Sequence, residues 1–255
     1  MKTTDNTILI TGGGSGIGRA LAEAFHRLGN QVIISGRKQQ TLDETTTANP
    51  GMKSATLDVS DPKNIQSFAT QVTKDYPSLN VLINNAGIMQ PENLLEKPEE
   101  VRTAERTVTT NLLGPIRLTA GLLPSLRRQP RATIMNVSSG LAFVPLAMTP
   151  TYCATKAAIH SYTQSLRYQL KATHIEVIEL IPPYVQTRLM GDQQASDPNA
   201  MPLGEFIDEV MSILKGQPDV KEVCVKKVLP LRFAAEGGQE KYDQFFQQFN
   251  DAMHK

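Results

Sequence analysis

The sequence predicts a doubly wound α/β fold: an open parallel sheet with helices on both faces. Three observations carry that expectation. Seven short runs rich in β-branched residues recur along the 255-residue chain, separated by longer stretches with helical periodicity. The runs are apolar at most positions rather than at every second one, as strands are when both faces of a sheet are covered. The stretch TGGGSGIG at 11–18 stands between the first run and the first helical stretch, where a parallel sheet opens its ligand crevice.

Taken in order, TILIT (7–11) is the first strand. IGRALAEAFHRLG follows as a helix closed by Gly29, a residue free to adopt the left-handed conformation that ends helices. QVIIS (31–35) and KSATLD (53–58) are the second and third strands. DPKNIQSFATQV starts a helix with Asp61 as N-cap and Pro62 at the first helical position, where a missing N–H costs nothing. NVLINNA (80–86) is the fourth strand, and the helical stretch TVTTNLLGP lies between it and the fifth, ATIMNVS (132–138). YCATKAAIHSYTQSLRYQL, from 152, reads as a long helix, followed by IEVIELI (175–181) and EVCVKKV (222–228) as strands six and seven. About 187–202, with RLMGDQQASDPNAMP at its core, is the one long irregular segment and the expected substrate loop. In the tail EKYDQFFQQFNDAMHK, a helix over about 239–253 aligns Tyr242, Phe245, Phe246, Phe249 and Met253 on one stripe. This helix is expected to cover the pocket or a subunit contact, with docking on the core as the plainer alternative. Strand, helix, strand, repeated, implies right-handed crossovers. No repeat, low-complexity tract or linker divides the chain, so one domain over 1–255 is expected.

Composition narrows the function. With 26 basic and 25 acidic side chains and no basic run longer than two, neither nucleic acid nor an anionic membrane is the expected partner. The N-terminus has no apolar leader and no stretch approaches the ~18 apolar residues of a spanning helix, so a cytoplasmic protein is expected. Cys153 and Cys224 show no C-x-x-C spacing and make no disulfide framework, and no metal is expected.

The glycine loop is the first chemical signal. Gly12, Gly16 and Gly18 allow a tight turn, a close approach to a pyrophosphate and close helix packing, while amides at a helix start favour an anion. Their spacing is not the usual dinucleotide fingerprint G-x-G-x-x-G. Tyr152 and Lys156 are the second signal, four apart on a helical stretch and therefore on one face. A free phenol has a pKa near 10, about three units or roughly 4 kcal/mol too high for acid/base work at neutral pH. A neighbouring ammonium stabilises the phenolate and is expected to lower that value.

T-G-x-x-x-G-x-G at 11–18, Asn-Asn-Ala-Gly at 84–87, Asn111, Ser139 and Tyr152-x-x-x-Lys156 together resemble the short-chain dehydrogenase/reductase family. The likeness covers nearly the whole chain, with the motifs in the family's order. Tyr-x-x-x-Lys alone would be weak, since six tyrosines and fourteen lysines leave about 0.3 chance matches. The wording of PPYVQT and VLPLRFAAE is similar to Gram-positive oxidoreductases encoded with the lipoteichoic acid D-alanylation genes.

The resemblance implies a single-domain Rossmann fold with strand order 3-2-1-4-5-6-7 and accounts for the glycine spacing. It also implies roles. Tyr152 exchanges a proton with the substrate oxygen, and Lys156 also holds the nicotinamide ribose. Ser139 hydrogen-bonds that oxygen, with Ser138 as the competing candidate. Asn111 helps hold a water that relays protons to Lys156, the alternative being a solvated polar residue on a helix. The implied cofactor contacts are Gly12, Ser15, Gly16, Ile17 and Gly18 in the loop, Asp58 and Val59 after strand three, and Asn85, Ala86 and Gly87 after strand four. Asp58 as a helix-approach cap is the alternative there. After strand six Val185 and Thr187 match carboxamide-binding positions, although Pro183 replaces the family's usual glycine and removes an amide. Homodimers or homotetramers are implied, with Ala154, Ala157, Ala158, Ser161 and Ser165 allowing close packing of the Tyr152 helix.

The end of strand two selects NADP(H) over NAD(H). NAD-binding folds place an acid there for the ribose 2′-hydroxyl. This chain has Gly36 instead, and the next acid is Asp43. Arg37 follows, able to make paired charge-assisted bonds to a 2′-phosphate, with Lys38 and Ser15 in support. The expected function is an NADP(H)-dependent oxidoreductase interconverting a small-molecule carbonyl and alcohol. The competing reading is a sensor or scaffold that binds NADP without turnover. A serine hydrolase would need G-x-S-x-G, which is absent.

Overall fold

A computed structural model describes residues 1–96 and 101–253. Its seven strands are β1 (Thr7–Thr11), β2 (Gln31–Gly36), β3 (Lys53–Thr56), β4 (Leu79–Asn84), β5 (Ala132–Val137), β6 (Ile175–Ile181) and β7 (Glu222–Cys224). All pair in parallel, in the order β3-β2-β1-β4-β5-β6-β7. The helices are α1 (Gly16–Arg27), α2 (Gln39–Ala48), α3 (Pro62–Asp75), α4 (Arg102–Val108), α5 (Gly114–Leu126), α6 (Pro150–Gln169), α7 (Asp192–Ser196), α8 (Leu203–Gly216), α9 (Leu229–Arg232) and α10 (Gln239–Met253).

Alternate strand residues point to opposite faces, and the sheet therefore separates two apolar cores. Ile8, Ile10, Val32 and Ile34 pack with Leu21 and Phe25 of α1 and Phe206 and Val210 of α8. Leu9, Ile33 and Leu82 pack with Phe68 of α3, Leu118 and Leu122 of α5 and Leu166 of α6. This is why the strands read as continuous apolar runs. Asp61 caps α3 by accepting from Lys63 N at 2.8 Å, ahead of Pro62, and Gly29 follows α1 at φ 81°. Among the described residues no helix is long and apolar enough to cross a membrane.

Several boundaries differ from the expectation. β3 stops at Thr56 and not at residue 58, because Asp58 Oδ1 accepts from Ser60 N and Oγ and bends the chain toward α3. β4 stops at Asn84, since the amides of Asn85 and Ala86 leave the ladder and donate to Thr11 Oγ1. β7 stops at Cys224, and the exposed pair Lys226 and Lys227 enters a 3₁₀ turn ending at buried Val228. The helical stretch TVTTNLLGP contains a π-helical turn, Thr109–Leu113, between α4 and α5. Pro115 has no N–H for the carbonyl of Asn111, four residues back, which favours the wider turn there. The segment 187–202 is less irregular than expected. It contains α7, and Val185 bridges Met201 beside it.

The tail helix forms as expected over Gln239–Met253, with residues 254–255 outside the described chain. It packs on the segment between β5 and α6. Tyr242 Oη donates to Phe143 O at 3.2 Å, and Asn250 joins Ala147 N (2.6 Å) to Pro145 O (3.1 Å). Phe249 packs on the small apolar cluster of Met89, Leu146, Tyr152 and Cys153.

Candidate functional site

The carboxyl ends of β1, β4, β5 and β6 bring most of the predicted residues together. Gly12 turns at φ 68°, and a Cβ on Gly18 would stand 2.4 Å from both Gly12 O and Asn85 Nδ2. Asn85 Nδ2 donates to Thr11 O at 2.9 Å, so Asn85 is a strut under the loop. Ser15 is the extended residue before α1 and its hydroxyl caps nothing. Ile17 packs partly against the first core. The loop after β6 meets this turn, since a Cβ on Gly16 (φ 52°) would lie 3.5 Å from Thr187 Cγ2. Gln194 of α7 holds that loop, donating to Val185 O at 2.8 Å and Thr187 Oγ1 at 3.1 Å. Val185 is buried.

At the other end of the crevice, Gly36 closes β2 and Arg37 and Lys38 are exposed. A Cβ on Gly36 would meet only Leu42 Cδ2 at 3.6 Å, so the place of the missing acid is open. Asp58 faces this corner. Burial pushes its carboxyl up, but the Ser60 hydrogen bonds and the Arg37 charge outweigh that and hold it below its usual range. It shapes the turn before α3 while Asp61 does the capping. Val59 is buried in the second core, with its carbonyl 2.7 Å from where a Cβ on Gly114 would stand.

Tyr152 and Lys156 lie on the buried face of α6. Lys156 Nζ stands 5.5 Å from the Tyr152 ring centroid and donates to Val137 O at 2.8 Å. Burial raises the phenol pKa well above 10, against a lowering by the hydrogen bond with Ser139. That is opposite to the lowering expected from Lys156, because desolvation of the phenolate dominates here. Burial brings Lys156 down to about 8, with the Glu179 charge opposing. The two serines separate cleanly. Ser139 faces Tyr152 and accepts from Leu141 N at 3.1 Å, whereas Ser138 Oγ is turned away and donates to Glu179 Oε1 at 2.5 Å. Asn111 is buried, not solvated. Its Oδ1 accepts from Ile88 N (2.9 Å) and its Nδ2 donates to Ile88 O (2.8 Å), fixing the chain just beyond Gly87.

The sequence pattern of the short chain dehydrogenase family matches residues 6–198. The chain belongs to that family. It is 41% identical over 253 residues to the uncharacterized oxidoreductase DltE of Bacillus subtilis (strain 168), covering 98% of both chains. A short chain dehydrogenase from Burkholderia cenocepacia J2315 in complex with NADP superposes with a TM-score of 0.81 at 23% identity, over 96% of this chain and 98% of that one. One from Burkholderia phymatum in complex with NAD superposes at 0.80 and 20% identity, over 92% and 95%. The shared fold thus accommodates either nucleotide, and the residues at the end of β2 must be read for themselves.

Two residues beside this site escaped sequence reasoning. Glu179 sits fully buried on β6, and His160 Nδ1 pairs with its Oε2 at 2.8 Å. The signal was available: an acid in the middle of the apolar run IEVIELI, on a strand covered on both faces, needs a buried partner.

Proposed function

We propose that this protein is an NADP(H)-dependent oxidoreductase that interconverts a carbonyl and an alcohol on a small molecule. The convergence of Ser139, Tyr152 and Lys156 beside the glycine turn carries the reading, because that turn fits a pyrophosphate and nothing in a plain binding protein calls for the phenol. The cradle fits the nucleotide at specific points: Gly12 and Gly18 have no room for a Cβ, and the start of α1 offers amides and the positive end of a helix dipole. Gly12, Ser15, Gly16, Ile17 and Gly18 would hold the pyrophosphate side. Asp58, Val59, Asn85, Ala86 and Gly87 would line the adenosine side, and Val185 and Thr187 the nicotinamide side.

Arg37 is exposed with no acid in the place of Gly36, which supports binding of a 2′-phosphate. The bound nucleotide supplies or accepts hydride. The chain's own residues manage the proton. Ser139 positions the substrate oxygen, Tyr152 gives or takes its proton, Lys156 stabilises the phenolate and holds the ribose, and Asn111 fixes the chain at Ile88 in a relay position. Phe249 against the Tyr152 cluster supports α10 as a wall of the substrate pocket, beside the loop 187–202. On α6, Ala154, Ala157, Ser161 and Ser165 are exposed, which supports a homo-oligomer built through that helix. A stable monomer at micromolar concentration in light scattering would refute that part.

The deciding experiment is NADPH fluorescence on binding, followed by a screen of carbonyl substrates. Binding with turnover is expected. Binding without turnover across ketones and aldehydes would leave a sensor or scaffold.

A further inference from the structure

Behind Lys156 the fold buries charges that the proposed reaction does not use. Glu179 accepts from Ser138 Oγ at 2.5 Å on one oxygen and from His160 Nδ1 at 2.8 Å on the other. Gln164 Nε2 lies 3.0 Å from His160 Nε2, so both ring nitrogens have a partner. Ser138 follows Val137, whose carbonyl accepts from Lys156 Nζ. The ammonium and the carboxylate thus grip consecutive residues at the end of β5.

Among the described residues, three basic groups stand around Glu179: His160, Arg232 and Lys156. From β7, Glu222 lies opposite in register and Cys224 lies two residues on. From α9, Arg232 forks onto both Glu222 oxygens at 2.7 and 3.1 Å, and those two charges cancel. Burial pushes the Cys224 thiol up to about 11, so it stays uncharged at neutral pH. His160, Glu179 and Glu222 offer ligand atoms within 4.8 Å of one another, but the guanidinium already supplies the cation at Glu222. A fully buried carboxylate needs a positive partner. With Arg232 forked onto Glu222, Lys156 is the ammonium at hand: it stands one helical turn before His160 on α6 and bonds Val137 O, beside the Ser138 that holds Glu179.

We propose that Glu179 is a positioning residue: held by Ser138 and His160, it is the buried counter-charge that keeps Lys156 an ammonium while Lys156 acts on the Tyr152 phenol. This rests on the roles proposed above for Tyr152 and Lys156. The direction of the electrostatics agrees, since burial lowers the Lys156 pKa and the Glu179 charge opposes that lowering.

The test titrates the lysine directly and needs no substrate. In protein carrying ¹³C-labelled lysine, the Lys156 signal is identified by its loss in Lys156→Arg. In Glu179→Gln, its midpoint is expected to fall by about one pH unit or more, and the alkaline limb of kcat to fall with it, while NADPH binding at pH 6 stays within a few-fold. An unmoved midpoint overturns the proposal. His160→Asn, whose amide still donates to Glu179, is expected to leave the midpoint near its native value. A midpoint that moves in His160→Asn but not in Glu179→Gln makes the imidazole the counter-charge and also overturns it. Should Glu179→Gln not fold, the unmodified protein suffices: the Glu179 carboxyl carbon is expected to shift with the Lys156 midpoint, and a carbon blind to that titration refutes the pairing. If Tyr152→Phe kept full turnover while the Lys156 midpoint still followed Glu179, the reaction assignment would fall and the charge pair would stand.

Discussion

Around residues 11–18 the crevice is shaped by backbone, whereas around α6 and β6 it is made of side chains from distant parts of the chain. In the glycine turn the decisive fact is missing volume: a Cβ on Gly18 would collide with Gly12 O and Asn85. Near Lys156 the decisive fact is charge kept out of water, with Ser138 just past β5 joined to His160 of α6 and Glu179 of β6. A steric cradle is written in a few consecutive letters and tolerates little substitution. A buried charge cluster is scattered over forty residues of sequence and responds to pH. Substitutions in the first region are therefore expected to act on nucleotide binding, and those in the second on turnover and its pH dependence.

The largest effect is expected at Tyr152. Tyr152→Phe should leave NADPH binding within a few-fold and reduce carbonyl turnover by about 10² or more, the scale of a lost general acid. A comparable loss of binding in stopped-flow or fluorescence titration would break the division between the two regions. Gly18→Ala tests the other side. Two contacts near 2.4 Å, one of them to backbone, should cost about 3 kcal/mol in urea unfolding and weaken NADPH binding at least about tenfold. Native stability in that variant would show the turn to be softer than described.

Arg37 comes next. The native ratio of kcat/KM for NADPH over NADH is expected to exceed about ten, and Arg37→Ala to collapse most of it through a higher KM for NADPH. Gly36→Asp, which has room for its Cβ, should push the preference toward NADH. Equal use of both nucleotides by the unmodified protein would show that Arg37 reads nothing.

The pH profile sharpens the comparison further. Lys156 carries its proton below about 8, so carbonyl reduction should hold below that value and decline by up to about tenfold per unit above it. NADPH binding should follow the same limb only as far as Lys156 touches the ribose. A profile flat to pH 10 would remove Lys156 from the chemistry. The smallest effect is expected at the tail: Asn250→Ala loses the bonds to Ala147 N and Pro145 O. That should cost about 1 kcal/mol and lower Tm by about 3 °C in calorimetry.

The sequence by itself determined the order of strands and helices, the glycine turn and the Tyr152–Lys156 pair. Apolar runs, caps and one-face spacing are local properties, read within a turn or two of chain. Strand ends were less legible, because Asp58 and Thr11 divert backbone amides through contacts that no local pattern displays. Only the tertiary structure separated Ser139 from Ser138, turned Asn111 inward and raised the Tyr152 pKa instead of lowering it. Only it set Glu179 beside His160 and α10 against the Tyr152 cluster. The reason is physical: desolvation and buried charge depend on everything packed around a group, and chain order does not say which residues those are.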